Sequence, residues 1–137
     1  MVEEPESETA RFERILDLIR QAIIHRQANR LEASLACLNK VLNENPELHA
    51  LNLTRAETLL AQGEYEAAWH GVESYEQATG RAGDTQALRT LIREAAAADF
   101  SVRLTREPDD VPALRDKAAF LLATKDFQAA EATCARL

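Results

Sequence analysis

Three histidines, two cysteines and a few serines are the side chains of this 137-residue sequence that could do chemistry beyond packing. His25, His49 and His70 would serve a metal if a second histidine or a cysteine stood three or four residues away, the spacing that aims two ligands from one helix face at one ion. None has such a neighbour, so all three are expected to be exposed or hydrogen-bonded. Cys37 and Cys134 lie far apart, each on an apolar helical stripe, and are read as buried free thiols acting as small hydrophobes rather than as a disulfide. Gly80-Arg81-Ala82-Gly83 has the glycines of a phosphate loop but neither a preceding strand nor the lysine, and it reads as a connector. Ser34 falls where two helices should pack, and Ser74 and Ser101 lie in ordinary helical surroundings, with no base and orienter grouped near them. The chain is therefore read as non-catalytic, with no metal and no cofactor.

Composition narrows the partners. Sixteen basic against 23 acidic residues give a formal charge of -7, which repels phosphate backbones, and no lysine and arginine cluster overrides it. Nucleic acid is excluded on that ground. No stretch approaches the roughly 20 apolar residues of a membrane span, so no membrane insertion is expected. The start, Met1 to Ala10, is acidic and lacks the basic flank and apolar run of a signal peptide, which points to a cytoplasmic protein. Residues 1–7 are too polar to offset the entropy of ordering and are read as a disordered acidic tail, leaving 8–137 as a single domain.

The elements that must position any site are helices. Only four glycines and four prolines interrupt the chain, and apolar residues recur at three- and four-residue intervals throughout. Phe12, Ile15, Leu16, Ile19, Ala22 and Ile23 mark a first helix ending near Ala28-Asn29, and Leu31, Leu35, Leu38, Val41 and Leu42 a second that stops before Pro46. A third runs through Leu51 to Leu60 and ends at Gly63. A fourth follows from Tyr65 to the Thr79–Gly83 connector, and both Trp69 and Tyr75 are assigned to the core, an interface role for Trp69 being the alternative. Asp84 is a good N-cap for one long helix over 84–106, laddered by Leu88, Ile92, Ala96, Phe100 and Leu104, with a break near Asp99 as the alternative. Pro108 stops it, and two short helices complete about seven in an all-α fold.

These helices repeat in phase. Ala22, Leu31 and Ser34 recur 34 residues on as Ala56, Tyr65 and Ala68, and 62 residues further as Ala118, Phe127 and Ala130. Two full periods would span 68 residues, so six are missing where the long helix lies. Asn29 stands at the position of Gly63, the next most tolerant residue for a left-handed turn, while Lys125 occupies the third equivalent position. The segment Pro46 to Gly80, with QGEYEAAW at its turn, resembles a tetratricopeptide repeat, and residues 15–46 and 111–137 resemble it more weakly on either side of the long helix. The segment Glu107–Glu131 also distantly resembles thioredoxin-linked helical-repeat proteins of bacteria, without a redox motif.

That resemblance implies a right-handed solenoid of helical hairpins, approximate repeats 15–46, 49–80 and 111–137, whose concave groove is lined by the first helix of each pair. By family position the lining is Leu16, Ile19, Ile23 and Arg26, then Leu53, Glu57 and Leu60, then Arg115, Ala119 and Leu122. Where carboxylate-clamp members of the family place lysine and asparagine, Ile19, Ile23, Leu53 and Glu57 stand instead, so a clamp for chaperone tails is not implied. The implied function is a protein-interaction module or scaffold that takes an apolar helix or extended peptide, with Arg26 and Arg115 free for acidic flanks. The alternative is a structural or oligomerisation module with a self-filled groove. In that case Leu114, Leu121, Phe127, Cys134 and Leu137 form an exposed C-terminal edge that joins two copies as a homodimer or joins the chain to a larger protein.

Overall fold

A computed structural model describes residues 6–137, and within them the chain is all-helical with no strand. The N-terminal tail expected over 1–7 lies outside the described residues as far as position 5. Of its last two residues, Glu6 pairs with Arg14 at 3.0 Å, and Ser7 caps the first helix by accepting a hydrogen bond from the Ala10 amide at 3.1 Å.

The helices are α1 (Glu8–Gln27), α2 (Leu31–Glu44), α3 (Ala50–Ala61), α4 (Tyr65–Thr79), α5 (Gln86–Arg106), α6 (Val111–Ala123) and α7 (Phe127–Cys134). α1 pairs with α2, α3 with α4 and α6 with α7, while α2 also packs on α3. The three hairpin turns share one backbone solution. Asn29, Gly63 and Lys125 have φ of 60°, 79° and 65°, and each turn closes the preceding helix with the same paired bonds. In the first, the Arg30 amide reaches the His25 carbonyl at 2.7 Å and the Asn29 amide that of Arg26 at 3.0 Å; Glu64 to Leu59 and Asp126 to Leu121 repeat the former bond, each at 2.9 Å. These are left-handed Schellman caps, which satisfy carbonyls that a helix end otherwise leaves orphaned. The proline stops also match: Asn45 and Glu107, each ahead of a proline, both have φ of -137°, the extended geometry that proline imposes on its predecessor.

Small residues sit where the helices of each pair cross. Ala22 and Ser34, Ala56 and Ala68, and Ala118 and Ala130 are all buried, and the Ser34 hydroxyl donates to the Ala22 carbonyl at 2.8 Å. Gly71 tightens the α3–α4 crossing, since a Cβ there would lie 3.3 Å from that of Ala56. Serine can replace alanine at such a crossing because its hydroxyl finds a backbone acceptor and leaves no buried polar atom unpaired.

α5 is unbroken through Asp99, whose carboxylate stands 4.0 Å from Arg103 one turn on. Its start differs from the sequence expectation. Asp84 does not cap it; Gly83–Thr85 form a 3₁₀ turn, and the buried Thr85 hydroxyl turns back to the Ala82 carbonyl and the Glu76 carboxylate. α5 buries Ile92, Ala96 and Phe100 against Trp69 and Val72 of α4, and α4 touches both α5 and α6. Phe120 of α6 completes this core, with its ring edge-on to Tyr65 and Trp69 at 6.3 and 6.1 Å. Trp69 and Tyr75 are both buried, so the interface alternative for Trp69 is set aside.

Candidate functional site

Apolar positions spaced by one helical turn give α1 a stripe that α2 covers only in part. Ile19 and Ile23 of α1 face Leu51 and Thr54 of α3 across a cleft of about 410 Å³, with Ala22 and Leu38 at its base. A second cleft of about 380 Å³ opens between Leu53 and Leu60 of α3 and Leu88 and Leu91 of α5. Arg26 borders both, so the two adjoin. There its guanidinium meets the Glu57 carboxylate at 3.0 Å, tying α1 to α3. Both side chains remain more than a third exposed, so the pair fixes direction more than it adds stability. Ile23 and Leu91 are 48% and 55% exposed and present apolar surface to solvent along this face.

Of the residues the sequence proposes for the groove, Ile19, Ile23, Arg26, Leu53, Glu57 and Leu60 come together around these clefts. Leu16 is half-buried and lines neither; Arg115, Ala119 and Leu122 on α6 also line neither. The physical reason is α5, which packs beside α3 and supplies Leu88 and Leu91 there, at the place the period alone assigns to α6. Leu88 had a signal in the four-residue ladder of α5, whereas Leu91 lies off that ladder and had none. Arg26, expected to be free for an acidic partner, is held by Glu57.

The proposed C-terminal edge divides. Phe127 and Leu137 are 63% and 56% exposed and Cys134 is exposed, but Leu121 is half-buried and Leu114 is 1% exposed. Leu114 cannot belong to a surface edge, because it is among the most fully buried side chains of the molecule. Cys134, expected under cover, is a free thiol on the open side of α7, whose principal contact is α6 alone; Cys37 is free and half-buried.

Two further groups lock the helices that frame the clefts. Glu76 of α4 takes a bidentate grip from Arg89 of α5, one bond being 2.8 Å from Nε, and accepts from the Thr85 hydroxyl as well. The Arg89 bonds, followed by that of Thr85, hold the Glu76 carboxyl below its ordinary value against the opposing effect of burial. The same Arg89, with Arg93, stacks over the Trp69 ring at 4.5 and 4.8 Å. At the middle turn, burial and then the Asp99 carboxylate push the Tyr65 phenol above its ordinary value. His70 lies between Glu66 and Glu73, at 3.6 and 3.2 Å on the exposed side of α4. Among the described residues no cluster of three histidine, cysteine or acidic side chains is disposed around a common point, and no helix is long and apolar enough to cross a membrane.

No protein-family model matches the chain, and no curated protein or solved structure matches it either.

Proposed function

We propose that the chain is a non-catalytic protein-interaction module of the tetratricopeptide-repeat type, a right-handed stack of helical hairpins working in the cytoplasm. It holds an apolar helix or extended segment against the face shared by α1, α3 and α5. One observation carries this reading: two adjoining apolar clefts joined at Arg26, with the open side chains of Ile23 and Leu91 beside them. Exposed aliphatic groups bordering concave apolar surface are what a helix-in-groove contact uses, and burying each is worth roughly 1.5–3 kcal/mol. The in-phase alanine crossings and shared left-handed turns support the repeat assignment.

Ile23→Glu and Leu91→Glu test it better than changes at Leu53, which is partly buried against the core. Both sites tolerate charge, so stability is expected to stay within about 0.5 kcal/mol of the native chain. Partners captured by the native chain, identified by mass spectrometry and re-tested as purified pairs, should bind either variant at least about tenfold more weakly. Partners that bind both variants as well as the native chain would remove the face from consideration.

The second reading is an oligomerisation module joined through the C-terminal edge, and the exposure of Phe127 and Leu137 favours it.

A further inference from the structure

A separate trough of about 480 Å³ runs between α5 and α6 and shares no lining residue with the two clefts described above. Its α5 wall carries Arg93, Ala97, Ser101 and Thr105 at four-residue intervals, a single helix face about 18 Å long. Its α6 wall carries Lys117 and Leu121, with Thr124 just past the helix's end. Phe100 and Phe120, 4% and 5% exposed, form the floor with Leu104. The length of that helix face matches a chain segment laid along it.

The charges bordering the trough are unlike those of the rest of the chain. Arg93, Lys117 and Arg136 face it with Asp126 as the one carboxylate, in a protein whose net charge is -7. Asp126 is already engaged as the cap of α7, accepting from the Ala129 amide at 3.3 Å. Among the described residues none of the three cations has an acidic partner within ion-pair distance: Arg136 donates to the Pro108 carbonyl at 2.6 Å, and Arg93 lies over Trp69. Three like charges around an apolar floor repel one another, and an anionic occupant removes that repulsion.

We propose that this trough binds an acidic amphipathic peptide segment, its apolar side laid on Phe100, Leu104, Phe120 and Leu121 and its carboxylates meeting Arg93, Lys117 and Arg136. This binding does not depend on the groove at α1, α3 and α5.

Fluorescence anisotropy with a fluorescein-labelled helical peptide, leucine along one face and glutamate along the other, tests it beside the same peptide with lysine for glutamate. Saturable binding of the glutamate peptide alone, weakened by salt, is expected. Lys117→Glu and Arg136→Glu should each weaken it about tenfold or more, while Ile23→Glu leaves it unchanged. Circular dichroism checks that the variants keep native helicity, and Arg93→Gln and Lys117→Gln replace any that do not. Absence of saturable binding, equal binding of the lysine peptide, or retained affinity in the Lys117 variants overturns the proposal. Loss of binding in Ile23→Glu overturns it by moving the peptide to the groove. Self-association of the native chain that Lys117→Glu abolishes overturns it in favour of a second copy as occupant.

Discussion

Lys125 holds a left-handed φ of 65° that its side chain disfavours, at the turn position where Gly63 sits at 79° without strain. The α6–α7 turn keeps its Schellman bonds all the same, with Asp126 to Leu121 at 2.9 Å, so the hairpin dictates the backbone and the residue bears the strain. Lys125→Gly relieves it and is expected to stabilise the chain by about 1 kcal/mol, raising the melting temperature by a few degrees. Gly63→Ala is expected to do the opposite by about 1–2 kcal/mol through φ alone, since the nearest atom to its new Cβ would be the Tyr65 hydroxyl at 3.8 Å. Thermal unfolding of the two variants beside the native chain checks both signs.

α5 is the element that most reshapes the molecule, and its attachment to α4 is electrostatic as well as apolar. Ile92, Ala96 and Phe100 are buried against Trp69 and Val72, while Arg89 grips Glu76 and stacks on Trp69. Because the folded pKa of Glu76 lies below the ordinary glutamate value of 4.5, its contribution is complete above that value and is lost as pH falls through the folded pKa. Urea unfolding from about pH 7 to about pH 3 should therefore show the native chain losing stability in acid more steeply than Glu76→Gln. The gap between the two should be widest near neutral pH and narrow below about 4.5. Parallel curves would assign the acid sensitivity to other carboxylates.

At the scale of the whole molecule, the oligomerisation reading proposes that copies join through the exposed Phe127 and Leu137. If they do, light scattering should show the mass of the native chain rising with concentration and that of Leu137→Glu remaining monomeric; a native chain monomeric throughout would leave this end without a self-association role. Much of the architecture was legible beforehand, because local rules govern it. Helix periodicity, the prolines at 46 and 108, the small residues at the crossings and the in-phase Asn29, Gly63 and Lys125 all act within a turn or a hairpin, where neighbours in sequence are neighbours in space. Of the ten positions taken from that register, Ile19, Ile23, Arg26, Leu53, Glu57 and Leu60 line the two clefts. What only the tertiary structure decided was where α5 lies: a helix that falls outside the repeat has no register to place it, and the packing of Ile92, Ala96 and Phe100 against Trp69 and Val72 sets it on α4 and beside α3. That placement put Leu88 and Leu91 on the second cleft, which Arg115, Ala119 and Leu122 do not line. It also drew Arg93, Lys117 and Arg136 around one trough, since charges far apart along a chain converge only when helices pack.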